Sequence, residues 1–546
     1  MTKKFALITV IFIAVGAVIG GLFGKLPLMA SADTSITSKR VVADYSEALD
    51  VIDKDYAGKV DHEKVTESSI QSMLWTLDPH SSFFTSDEFE KLTEEQSSQF
   101  YGVGVSIMQR HNGVYVESVI PNTPADKAGL RFGDRFLKID GKDATEWTSA
   151  EVSKNVRGER GTTVNVFVER VSSNKPLEFN IVRGGVPLPS IRNYFMLKDG
   201  IGYIGFIGGF QETSAEELNY AIADLEKKGM KSLILDIRGN PGGLLPQAIE
   251  IVGRFIPNDM TVVNVKGRSR YAQSQDLKTS NAADDKYPLV VMVNGNSASA
   301  SEIVAGALQD YGRALIVGTD SFGKGLVQRV FQLPYGTGLT LTTARYYTPF
   351  GRSLQRDYSN GSIYEYYTHS NSQGTNDGDS PAPKPAGSPV TTPDGRVLYG
   401  GRGIEPDVVI EPEEFGELKF RVNEAAFFFV RQLVAGKVAG FESYKVEKQD
   451  QSLLLPPNAV PMTDKLYEAF RKFAASEEKL GLSAANIDSV SDFAKIRVRE
   501  ELATANYSTE AGAQVLLESD PQVLKAMEVM PQAAAMAGKN IAFGKR

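Results

Sequence analysis

Between about residue 187 and residue 356 the chain repeats one unit: a short apolar run, a turn of small or polar residues, then an amphipathic helix. The strands read IGYIGFI, SLILDI, LVVMV and ALIVG, and the helices SAEELNYAIADLEKKG, PQAIEIVGRFI and SASEIVAGALQDYG. Strands alternating with helices specify an α/β core. The strand-to-helix turns of such a core are where a side chain can stand exposed beside free helix N–H groups.

The flanking segments follow other rules. From 98 to 186 short alternating strands (GVGVSIM, GVYVESVI, DRFLKID, TVNVFVER, LEFNIV) give a β-rich module. From 40 to 97 apolar residues recur at helical spacing, interrupted by the turn LDPHSSFFT. Residues 357–397 are rich in Ser, Gly, Asn, Asp and Pro and read as a flexible insertion, because they cannot bury enough surface to offset their ordering entropy. After GGRGIEPDVVI, amphipathic helices run to Arg546 and carry no chemical motif; they read as packing on the core or supporting assembly, a homo-oligomer included.

At the N-terminus Lys3 and Lys4 precede an uncharged stretch at 5–24, long enough at 1.5 Å per residue to cross a hydrocarbon layer of about 30 Å. The lysines favour a cytoplasmic N-terminus and an extracytoplasmic remainder. Ala30-Ser31-Ala32 resembles a signal-peptidase site, but the apolar run exceeds that of a cleaved signal, so an anchor is favoured. The membrane is thus an expected partner.

Composition removes several chemistries. The 546 residues contain no cysteine, which excludes disulfides, thiolate metal sites and a cysteine nucleophile. The histidines are His62, His80, His111 and His369, and no two have helical metal-pair spacing; no metal or cofactor is expected. A net charge of −8 gives no footprint for nucleic acid.

In DKYPLVVMVNGNSASASEIVAGALQDYG an apolar strand ends in Asn294-Gly295-Asn296 and a helix opens in a serine cluster. Ser297, Ser299 and Ser301 are candidate nucleophiles, although serine is also an ordinary helix cap. The usual base is histidine, but His62, His80 and His111 lie in the helical arm or the β module. A buried neutral lysine is the other known base, and GTDSFGKG at 318–325 supplies Lys324. Its Gly-x4-Gly-Lys spacing also imitates a phosphate loop, but Gly325 stands where Ser or Thr is needed and LVQRVFQL reads as strand. DIRGNPGGLL at 236–245 can bring backbone N–H groups to an oxyanion, and YGVGV at 101–105 can bind a peptide carboxylate at an edge strand.

Taken in order, YGVGV, PADKAGLRFGDRFLKIDG, DIRGNPGG, NGNSASASEIVAGALQDYGRA, GTDSFGKGLVQ and GRGIEPD closely resemble the carboxyl-terminal processing, or tail-specific, serine proteases from about residue 40 to 411. The resemblance implies a PDZ module on an α/β core of the β/α-spiral, crotonase-like kind. It implies Ser299 as nucleophile, Lys324 as base and Gln328 orienting the lysine. It further implies an oxyanion hole from Ala300 with Gly242 or Gly243, and a supporting role for Asp310. Tyr101, Gly102, Val103 and Gly104 would recognise a substrate's free C-terminus. The implied domains are a signal peptide or anchor at 1–32, a helical region at 33–97, a PDZ domain at 98–186, a protease core at 187–411 and a helical extension at 412–546.

A lysine must titrate about 3 pH units below its ordinary value to be neutral at pH 7, which requires an apolar pocket without a salt-bridged acid. Two rival functions are a catalytically inactive PDZ scaffold on a protease-like core and an acyl-CoA hydratase on a related spiral. The intact Ser299, Lys324 and Gln328 argue against the first, and the PDZ module against the second.

Overall fold

The α/β alternation closes into a six-stranded sheet in a computed structural model that describes residues 38–96, 99–268, 273–280, 287–358, 366 and 387–538. The expected anchor at 5–24 and most of the 357–397 insertion lie outside the described residues. The chain divides into two units, Met1–Ile70 and Gln71–Arg546. In the first, the described residues form helix Ser38–Asp55 and the start of helix His62–Trp75.

The central sheet runs in the order Ile191–Met196, Ile201–Phe206, Ser232–Asp236, Leu289–Val293, Leu315–Gly318, Val408–Val409. Its first pair is antiparallel and the others are parallel. Every residue of Ser232–Asp236 and Leu289–Val293 is buried, as expected of parallel strands covered on both faces. Because side chains alternate, Leu233, Leu235, Val291, Val293 and Ile316 pack with helices Ser214–Lys227, Leu245–Gly253 and Ala300–Asp310. Ile234, Val290, Met292 and Val317 point the other way, onto Val523, Ala526, Val529, Met530 and Ala533. Helices Pro521–Glu528 and Met530–Gly538 of the C-terminal extension therefore supply the second layer of the protease sheet.

A second sheet joins Ser82–Phe84, Gly338–Tyr347, Thr261–Lys266 and Gln275–Lys278, with Leu326–Gln332 also paired to Gly338–Tyr347. This qualifies the expected helical region at 33–97. Ser82–Phe84 is a strand of this sheet, held by register with Thr340–Gly338, so the LDPHSSFFT turn belongs to the larger unit. The end of the expected flexible insertion is likewise ordered. Val390–Thr391 and Val397–Leu398 form a hairpin, and Arg396 ties it down by pairing with Asp407 at 2.6 Å and donating to the Gln309 carbonyl.

The β-rich module is a sheet in the order Val105–Arg110, Gly113–Val119, Arg135–Ile139, Thr163–Glu169, Leu177–Val182, closed over helix Ser149–Val156 by a core including Val114, Val116, Phe136, Val152 and Val166. Thr148 and Glu151 form a reciprocal capping box at that helix's start. The chain enters through Gln99–Gly102 and leaves through Gly184–Pro187, which pair antiparallel as a two-stranded stem. Beyond the core sheet, helices Glu417–Val434, Asp464–Ser476 and Ser491–Asn506 share their own apolar core. They also grip the module: buried Arg110 pairs with Glu424 at 2.8 Å and Glu501 at 3.1 Å.

Candidate active site

Strand Leu289–Val293 delivers the serine cluster to the C-terminal end of the parallel sheet, where crevices of open α/β sheets lie. Two of the three serines are committed to structure. Ser297 is fully buried and donates to the Ile237 carbonyl at 2.8 Å. Ser301 is fully buried and reaches the Asn240 side-chain oxygen at 2.9 Å. Ser299, between them, is only half-buried and holds φ at +56°, a conformation costing a non-glycine residue about 1–3 kcal/mol. Immobilised strain of this kind concentrates at functional positions and needs an external hold.

That hold is Glu302, which sequence reasoning missed. One carboxylate oxygen of this fully buried side chain accepts the Ser299 N–H and the Lys324 N–H, each at 2.8 Å. The other accepts the Ser321 hydroxyl at 2.6 Å and the Gly323 N–H at 2.7 Å. A single carboxylate thus fastens the serine turn to the lysine loop. Burial raises its pKa, opposed by the hydrogen bonds it accepts. Gly403 of GRGIEPD packs against the same knot: with φ at +85°, a Cβ there would lie 2.8 Å from the Glu302 oxygen. The signal was present in sequence, since Ser299-x-x-Glu302 is the spacing of a capping box.

Burial lowers the pKa of Lys324, while Glu302 and Asp78 pull it upward. Among the described residues no carboxylate forms an ion pair with its ammonium; Glu302 meets Lys324 through the backbone N–H instead. The requirement that no acid be salt-bridged to the lysine is therefore met among the described residues. Gln328 stands at a bulge in strand Leu326–Gln332, and its amide reaches the Thr342 hydroxyl at 3.5 Å. Asp310 lies at the far end of the serine helix, where it accepts from buried Arg352 and from the Phe350 N–H at 2.9 Å. It anchors the loop leading to Gln355, whose side chain accepts the Gly325 N–H beside Lys324.

His80 stands near the lysine despite its distant place in the chain. Asp78 accepts the N–H groups of His80 and Ser81 and the Ser81 hydroxyl, and Ser81 accepts the Thr342 N–H from the strand facing Gln328. This shapes the LDPHSS turn and presents the His80 ring to Tyr366, whose hydroxyl is 2.7 Å from Nε2. Burial, followed by the charge of Lys324, lowers the His80 pKa to about 3. The imidazole is neutral at physiological pH and adds no charge beside Lys324.

The two glycines of the expected oxyanion loop differ. Gly242 donates its N–H to Asn240 Oδ1 at 2.9 Å, so it is not a spare donor in this state, contrary to its expected equivalence with Gly243. Its role is close approach: with φ at +98°, a Cβ would lie 2.8 Å from the Ala300 nitrogen. Among the described residues nothing accepts the N–H of Ala300 or Gly243.

Residues 200–361 match the family described as Peptidase family S41, and residues 102–182 match a PDZ domain. The carboxy-terminal-processing protease of Bartonella bacilliformis is 37% identical over 347 residues, covering 62% of this chain and 79% of the relative. The chain belongs to the carboxy-terminal processing proteases. Carboxy-terminal processing protease CtpB of Bacillus subtilis is 32% identical over 338 residues, covering 61% of this chain and 68% of its own length. As a member of this family the chain is a serine peptidase with a PDZ domain, and the expected α/β fold is borne out.

In this processing protease the four expected peptide-binding residues split into two pairs. Tyr101 and Gly102 belong to the stem, in register with Gly185 and Gly184. Val103 and Gly104 form the turn into edge strand Val105–Arg110; Val103 accepts the Ala125 N–H at 2.7 Å and Gly104 the Ile120 N–H at 3.1 Å. Among the described residues nothing accepts the N–H groups of Val103 and Gly104. The edge strand runs beside helix Ser149–Val156, whose Ser149 N–H donates to Gln109 at 2.8 Å.

Proposed function

We propose that this processing protease is an extracytoplasmic endopeptidase that cleaves the C-terminal tails of proteins through a Ser299/Lys324 dyad and an acyl-enzyme. The observation that carries the reading is the Glu302 knot, which joins a strained, half-buried serine to a desolvated lysine. A tail adds as a strand beside Val105–Arg110, with its carboxylate at the Val103–Gly104 turn. Ser299 Oγ attacks the scissile carbonyl carbon as neutral Lys324 Nζ takes the hydroxyl proton.

The oxyanion is stabilised by the N–H groups of Ala300 and Gly243, neither of which has a protein acceptor among the described residues. As the C–N bond breaks, the Lys324 ammonium protonates the leaving amine. Water then attacks the ester, giving a proton to Lys324, and that proton returns to Ser299 Oγ as the acyl C–O bond breaks. Gln328, whose side chain makes no hydrogen bond shorter than 3.5 Å among the described residues, turns to orient the lysine. The apolar stretch at 5–24 behind Lys3 and Lys4 supports a location at the outer side of a membrane, anchored or exported, and a homo-oligomer is compatible with the tail.

The test is mass spectrometry of an unfolded protein substrate incubated with wild type and Ser299→Ala. Wild type is expected to release peptides from the C-terminal end and the variant none. Equal cleavage by both, or none by either, would overturn the reading.

A further inference from the structure

The loop that carries Gly242 and Gly243 is held from two sides. On one side it is fastened to the serine turn: Gly239 N–H donates to Asn294 at 2.9 Å, and the Asn240 carbonyl accepts the Ala298 N–H at 3.1 Å and the Ser301 hydroxyl at 3.0 Å. On the other side the hold comes from the C-terminal extension, which lies beyond the family match ending at residue 361. Arg238, at the root of the loop, folds back on Asp236 through Nε at 3.0 Å and Nη2 at 2.6 Å. Its remaining nitrogen, Nη1, reaches Asp520 at 2.9 Å and the Gln522 side-chain oxygen at 2.7 Å.

Asp520 and Gln522 stand at the start of helix Pro521–Glu528, whose inner face is already seated on the protease sheet through Val523 and Ala526. Gln522 also donates to the Ile410 carbonyl at 2.6 Å, tying the helix to the strand edge beside it. Both Arg238 and Asp520 are largely withdrawn from solvent, 15% and 21% exposed, so their pairing is less screened than a surface contact.

We infer that the C-terminal extension is part of the catalytic apparatus: Asp520 and Gln522 are positioning residues that, through Arg238, set the oxyanion loop against Ser299 and Ala300. The inference rests on the reading of that loop as the oxyanion donor. Asp520 is well suited to a selective test because its two oxygens do different work. Oδ1 caps the helix, accepting from Gln522 and Val523 N–H, while Oδ2 meets Arg238. Asparagine keeps the cap and removes the charge.

Asp520→Asn and Gln522→Leu are assayed on a peptide substrate for kcat and KM, with a peptide aldehyde as an analogue of the tetrahedral adduct. Removing an oxyanion donor outright costs about 100-fold or more. A loosened loop should lower kcat about 10-fold or more, leave KM within about twofold, and weaken the aldehyde by the same factor as kcat. Asp520→Glu should recover part of the loss, and adding Asp520→Asn to Arg238→Ala should cost nothing further. An unchanged kcat in folded Asp520→Asn, or a fall in thermal stability with kcat and aldehyde affinity intact, would overturn the inference. Ser299→Ala is run alongside: if it retains cleavage, the dyad reading fails, whereas its loss with a normal Asp520→Asn condemns only the positioning role.

Discussion

At the level of single residues the central question is how the pKa of a lysine is lowered next to two acids. Desolvation is the dominant influence on Lys324, and Glu302 and Asp78 oppose it without pairing with its ammonium. Glu302 is oriented away from that task because its oxygens already accept four hydrogen bonds. Glu302→Gln places an amide group among donors and leaves at least one unsatisfied, with an expected loss of about 3 kcal/mol in urea unfolding. It also removes a negative charge that favours the ammonium. Whatever activity survives should therefore have its ascending pH limb displaced to lower pH. A limb displaced upward, or unchanged stability, would contradict this placement of the carboxylate. His80 contributes no step to the profile, since its imidazole titrates near 3.

Among the elements, the tail helices hold the PDZ hairpin through buried charge. Arg110 is 2% exposed, and Glu424 also accepts from His111 at 3.1 Å. Glu424→Ala strands part of that guanidinium and should cost about 3 kcal/mol. Burial, and then the neighbouring Glu500, raise the Glu501 pKa. A carboxyl with a raised folded-state pKa keeps its proton where the unfolded chain has lost it. The Glu501 contribution to stability is therefore fully present below the usual carboxylate range and is lost as pH rises through its folded-state value of about 8. The drop in melting temperature from about pH 6 to about pH 9 contributed by this group should disappear in Glu501→Gln, so that the variant gains stability relative to wild type at the higher pH; a pH dependence identical in both would contradict it. None of this was legible beforehand, because the partners of Arg110 lie more than 300 residues away along the chain. The strands and helices of the core were legible, because short apolar runs and 3.6-residue apolar periods are local properties.

For the whole molecule, the strands at 232–236 and 289–293, buried at every residue, demanded cover on both faces, and the second cover is supplied by helices 521–528 and 530–538 from the extension. The serine and the lysine could be found from GNSASASE and SFGKG because each is a short motif. Glu302 was visible only as a cap, and Asp520 not at all, since long-range pairing leaves no local periodicity. The proposed site thus draws on the LDPHSS turn, the glycine loop at 239–243, the serine helix, the lysine loop and the tail. Its central claim is that Lys324 activates Ser299. The most direct measurement is the rate of covalent labelling by a serine-directed fluorophosphonate across pH, with the modified residue located by mass spectrometry. The account predicts label on Ser299, at a rate that rises as a lysine of depressed pKa loses its proton and collapses in Lys324→Ala. Label on Ser297 or Ser301, or a rate on Ser299 indifferent to Lys324, would contradict it.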